Sequence, residues 1–110
     1  MIVELIEPTF DAVSTPRGIP RNYAPGAVVT IFGTGMTGSD EIYIWYRSSS
    51  TASWERVRDY QNSGALVTIT ATSGPVTLKN AAMRYGVTKN SGTGYPFGVY
   101  AAVQDASQGT

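Results

Sequence analysis

Apolar residues return at every second position in several short runs of this chain, and each run stops at a cluster of Gly, Pro, Asn or Ser. Val67 and Ile69 alternate with Thr68 and Thr70, Tyr85 and Val87 follow Met83 with Arg84 and Thr88 opposite, and Phe97, Val99, Ala101 and Val103 share one face. A period of two puts successive side chains on opposite sides of an extended strand, whereas a helix needs apolar positions three and four apart. Asn62-Ser63-Gly64, Ser73-Gly74-Pro75 and the glycine-rich stretch at 90–96 supply the turns between runs. Further strands are expected at residues 1–6, where Pro8 follows closely and implies an edge, and at 27–32, apolar on both faces and hence internal. About seven to eight short antiparallel strands without a helix define an all-β sandwich or small barrel.

At 110 residues the chain is one domain, 1–110, large enough to fold alone. Residues 105–110 read as a polar, mobile tail. Residues 9–25 hold Pro16, Gly18, Pro20 and Pro25 among polar side chains and fit neither period. So long a segment without periodicity is either a surface loop over one end of the fold or an extended arm lying on a neighbouring subunit.

The richest segment is 41–60, with Glu41-Ile-Tyr-Ile-Trp-Tyr-Arg47 followed by a serine-rich link and Trp54-Glu-Arg-Val-Arg-Asp-Tyr60. As a symmetric hairpin closed by 48–53, it sets Arg47 against Trp54, Trp45 against Arg56, Ile44 against Val57 and Tyr43 against Arg58. One face then carries Tyr43, Trp45, Arg47, Trp54, Arg56 and Arg58, and the other Ile42, Ile44, Tyr46 and Val57. A slip of one residue would mix the charges with the apolar set, so segregation selects this register. Trp54, Val57 and Gln61 also fit one face of a helix capped by Ser53, but the alternation of Trp54, Arg56, Arg58 and Tyr60 favours the strand. The two indoles either cover the end of the core under arginine stems or meet a partner, since Trp, Tyr and Arg dominate binding hot spots. Arg17, Arg21 and Tyr23 of the 9–25 segment join them as candidate partner-binding residues.

Other chemistry is sparse. The chain has neither Cys nor His, which removes thiolate and imidazole ligands, disulfides and the commonest general base. Its formal net charge is zero, so nothing in the bulk electrostatics selects nucleic acid or an anionic membrane. No apolar run approaches the roughly 20 residues of a membrane span, and the chain reads as soluble and unprocessed. Gly33, Gly35 and Gly38 fit G-x-G-x-x-G after a strand. A dinucleotide site needs a helix to open there, and period two follows instead, so the glycines read as a turn with positive φ. No catalytic residue, metal site or cofactor is expected, and the chain reads as non-enzymatic.

Ala24-Pro-Gly-Ala-Val-Val-Thr-Ile-Phe-Gly-Thr-Gly-Met-Thr-Gly38 resembles the opening of immunoglobulin-like domains of the IPT/TIG kind. That family has a strand of the form G-x-x-V-T-I-x-G-x-G before a turn and an aromatic-rich strand, although the second glycine-proline turn usual before it is missing here. The resemblance implies an Ig-like sandwich. Over its whole length, the Thr/Ser/Gly/Ala-rich texture and the closing Pro96-Phe-Gly-Val-Tyr-Ala-Ala-Val103 make the chain look like the small cysteine-free β proteins of tailed bacteriophage particles. This second resemblance implies a capsid decoration or cement protein of the virion, assembled in the host cytoplasm. Its partner would be the major capsid protein, with a homo-oligomer open and no role for membrane or nucleic acid. The competing reading is a carbohydrate- or host-surface-binding β-sandwich module.

Overall fold

Each alternating run finds a neighbour in the computed structural model, which describes residues 2–8, 12–19, 28–79, 84–90 and 97–104. Among these residues the strands are β1 (Ile2–Ile6), β2 (Ala12–Gly18), β3 (Val28–Thr34), β4 (Glu41–Arg47), β5 (Glu55–Arg56), β6 (Arg58–Asp59), β7 (Ala65–Leu66), β8 (Thr68–Thr70), β9 (Val76–Lys79), β10 (Arg84–Asn90) and β11 (Gly98–Gln104). All pairings are antiparallel. One sheet has the order β1-β11-β3-β9 and the other β2-β10-β4-β5, with β8 also on β4 and β6-β7 forming a separate ribbon. Of the two architectures expected, the chain forms the sandwich.

The core lies between the sheets and follows the alternation. Val29 and Ile31 of β3, with Val99, Ala101 and Val103 of β11, meet Ile42 and Ile44 of β4, Val87 of β10 and Ile69 of β8. Each fully buried Val or Ile among them contributes about 1.5–3 kcal/mol relative to exposure. The expected face of Phe97, Val99, Ala101 and Val103 is buried throughout. β1 is an edge strand and β3 is internal, as Pro8 and the apolar run had implied. Leu5 and Ile6 are both buried although adjacent, because the register of β1 on β11 shifts between Glu4 and Ile6.

Two expectations change. Within 9–25, residues 12–18 form strand β2 on β10, in place of a loop or free arm. Pro16 is tolerated because β2 is an edge strand and bulges there: Ser14, Thr15 and Pro16 lie where β10 has only Thr88 between paired residues. Val13 packs against the core and Ile19 is buried, its N–H donating to Tyr85 O at 2.9 Å, so apolar residues anchor both ends of the strand. The hairpin arm after Trp54 is also shorter than expected. β5 ends at Arg56, and Val57 donates its N–H to Ile44 O while its carbonyl accepts from Val67 N, each at 2.9 Å. Val57 thereby hands the edge of β4 to β8. The expected tail, 105–110, lies outside the described residues.

After Gly38 the chain enters β4 rather than a helix. Gly35 and Gly38 hold φ of 78° and 58°, and the buried carboxylate of Asp40 accepts from Thr37 N at 3.0 Å to close the turn. Gly35 and Gly38 therefore serve a tight corner, whereas Gly33 lies within β3, where a Cβ would stand 2.5 Å from Met36 Sδ. No α-helix capped by Ser53 forms over 54–61; residues 55–56 and 58–59 are strand, but Tyr60, expected to continue it, opens a single 3-10 turn, Tyr60–Asn62, capped by Asp59, whose side chain accepts from Gln61 N.

Candidate functional site: the outer face of the five-stranded sheet

Because Ile42 and Ile44 point inward, Glu41, Tyr43, Trp45 and Arg47 line the opposite side of β4. Register fills in the neighbours. Asn90, Thr88, Gly86 and Arg84 of β10 lie across from these four in that order. On the other edge, Thr70 faces Glu41, Thr68 faces Tyr43, and Arg56 faces Trp45. The expected pairing of Trp45 with Arg56 is present, so segregation of charge from apolar residues selected the correct register.

Aromatic and cationic groups interlock across this grid. The Arg47 guanidinium lies 4.2 Å from the centre of the Trp54 ring, and that of Arg56 lies 4.5 Å from Tyr43 and 5.6 Å from Trp45. Such contacts are worth about 0.5–1 kcal/mol each when exposed. Arg56 Nη2 also donates to Val67 O at 3.3 Å and Thr68 Oγ1 at 3.1 Å, which fixes the plane of the group. Both indoles are half-buried. Trp45 Nε1 donates to Thr88 Oγ1 at 2.9 Å, so its polar end is satisfied within the face. The Trp54 ring reaches over β10, where a Cβ at Gly86 would stand 2.8 Å from its Cη2; glycine leaves room for the indole.

Desolvation marks the same place. Arg47 Nε and Arg56 Nε are shielded from solvent without a hydrogen-bond partner. Burial lowers the pKa of Arg56, though a guanidinium stays charged under any ordinary condition. Burial raises that of Tyr43, and its hydrogen bond to Glu41 Oε1 raises it further. A groove of about 360 Å³ runs along Tyr43, Trp45, Arg56 and Thr88 and is bounded by Val13, Ser14, Lys89 and Asn90. The β2 bulge forms one of its walls. Lys89 is buried and turned into the sandwich, its Nζ donating to the carbonyls of Phe97 and Glu7 and lying 4.7 Å from the centre of the Phe97 ring.

Of the residues singled out from sequence, Tyr43, Trp45, Arg47, Trp54 and Arg56 come together. Arg58 does not: Tyr43 pairs with Thr68 instead, and Arg58 is exposed on the β6-β7 ribbon, donating to Gly64 O at 3.0 Å. Arg17 is exposed on β2 opposite the inward-facing Val87, and so belongs by register to the other side of that edge strand. Arg21 and Tyr23 lie outside the described residues. Sequence reasoning missed Arg84, Gly86, Thr88 and Thr68 as members of the face. Arg84 and Thr88 were legible as outward-facing, but nothing local says that β10 lies beside β4.

The chain matches no known protein family model, no curated protein and no solved structure.

Proposed function

We propose that this chain is a non-enzymatic structural protein that docks through the outer face of the five-stranded sheet onto another protein, as a capsid decoration or cement protein of a phage virion does. One observation carries the docking face. Trp45 and Trp54 lie on the far side of a sheet whose inner side already closes the core, so the part of each half-buried ring that stays exposed adds nothing to that core and is left for a partner. Rings held by cation–π contacts, a hydrogen bond and a glycine seat lose little side-chain freedom on binding, which favours affinity. Central Trp, Tyr and Arg side chains of this kind dominate binding hot spots. No bond is made or broken; a protein that binds only the assembled lattice stabilises it by mass action. The virion location and the major capsid protein as partner rest on likeness of composition to small β proteins of tailed phages.

Co-sedimentation with capsids assembled from a major capsid protein encoded beside this chain tests the reading. The chain should pellet with the capsids, and an Arg47→Ser/Trp54→Ala variant that retains its circular dichroism should stay in the supernatant. A wild-type chain left in the supernatant overturns it. The groove beside Trp45 favours a second reading, because aromatic rings next to Ser14 and Asn90 suit a sugar. Binding to a defined glycan on an array, lost in Trp45→Ala, would establish a carbohydrate-binding module instead.

A further inference from the structure

The docking face has two electrical ends. Arg84 and Arg47 are direct partners on adjacent antiparallel strands, and both belong to the outward-facing set. Directly opposed side chains have Cβ atoms about 4.5–5.5 Å apart, and like charges at that spacing oppose folding. Among the described residues neither guanidinium makes a hydrogen bond, and Arg47 Nε is shut off from water as well. Arg56 adds a third cation one row along, held in place by Thr68, Val67 and the rings of Tyr43 and Trp45. Glu41 lies at the other end of β4, about 20 Å away at about 3.4 Å per residue. Stability alone would not place two arginines across from each other, and a partner that brings negative charge removes the repulsion.

We infer that the Arg47–Arg84 end of this face receives carboxylates, so that the protein partner presents an acidic segment there and lays apolar side chains along Trp54 and Trp45. This rests on the docking-face reading and supplies its partner's chemistry. A guanidinium offers a fork of N–H donors that matches a carboxylate's two oxygens. Discrete carboxylates fit better than a nucleic acid strand. The positive end is short and Glu41 terminates the strip, whereas a phosphate backbone needs a continuous basic track.

Both tryptophans of the chain belong to the face, so the two indole N–H signals in a nitrogen–proton NMR spectrum report on it directly. Hexaglutamate added to the full chain should shift both signals, with an effect that fades as sodium chloride is raised. An Arg47→Ser/Arg84→Ser variant with unchanged circular dichroism should bind hexaglutamate about tenfold more weakly. Unmoved indole signals, or equal affinity in the variant, would overturn the inference. Shifts with decathymidylate but not with hexaglutamate would also overturn it, in favour of nucleic acid. Co-sedimentation with capsids that persists when hexaglutamate fails would leave the docking face standing and discard only its acidic occupant.

Discussion

Strand β4 has two sides built on different principles. Inward, Ile42 and Ile44 are wholly buried and gain their stability from area alone, in contact with whatever fills the space around them. Outward, Tyr43 and Trp45 are half-buried, and each is tied to named partners: Tyr43 to Glu41 and Arg56, Trp45 to Thr88 and Arg56. The inner side depends on volume and close packing, while the outer side depends on pairs. Area contributes most to the fold, and the pairs fix the geometry of a surface that stays partly open to a partner.

Substitutions on the two sides should therefore differ in size and in kind. Ile44→Ala removes buried atoms from between the sheets and should cost about 2–5 kcal/mol in urea denaturation. A loss under 1 kcal/mol would mean that the inner side is not the closed core described here. Gly86→Val places a branched side chain under the Trp54 ring, where even a Cβ would be 2.8 Å from Cη2 and 3.2 Å from Arg17 O. About 1–3 kcal/mol should be lost to overpacking. Tryptophan fluorescence should shift as the indole lifts off, and an unchanged spectrum would count against the seat. Trp45→Phe keeps most of the ring but deletes the donor to Thr88 Oγ1, an exchange worth about 1 kcal/mol.

The smallest effect is set by pH. The folded state raises the Tyr43 phenol above its ordinary 10.0, first by burial and then through Glu41, and burial does the same to Tyr85. A raised pKa means the folded chain holds the proton more tightly than the unfolded chain. The stability from both groups is present below pH 10.0 and is lost as pH rises through their folded values. Tyr43→Phe should lessen the alkaline loss of stability in urea melts and leave the part due to Tyr85; an identical alkaline profile would remove Tyr43 from the account.

What was legible in the sequence was what short-range pattern controls. Phe97 to Val103 shows its buried face by alternation, and the register of Trp45 on Arg56 follows from a symmetric hairpin in which a slip of one residue would put charges into the core. The misses were non-local. Strand β2 was hidden because Pro16 and Gly18 erase the alternation, and its partner β10 is distant in the chain. A symmetric continuation of the hairpin puts Arg58 on the face, but Val57 transfers the edge of β4 to β8 directly after the Trp45–Arg56 pair. Arg84 showed its outward orientation in sequence, yet its place opposite Arg47 depends on which strands adjoin.

The proposed docking role belongs to the outer side of β4 and not merely to the aromatic content of the chain. Acrylamide quenching of tryptophan fluorescence tests it most directly, measured on the free chain and on the chain bound to assembled capsids. Both indoles lie on that side, so quenching should fall severalfold on binding and recover when the complex is dissociated. Equal quenching in the free and bound chain would show that the face stays open to solvent in the complex and is not the docking surface.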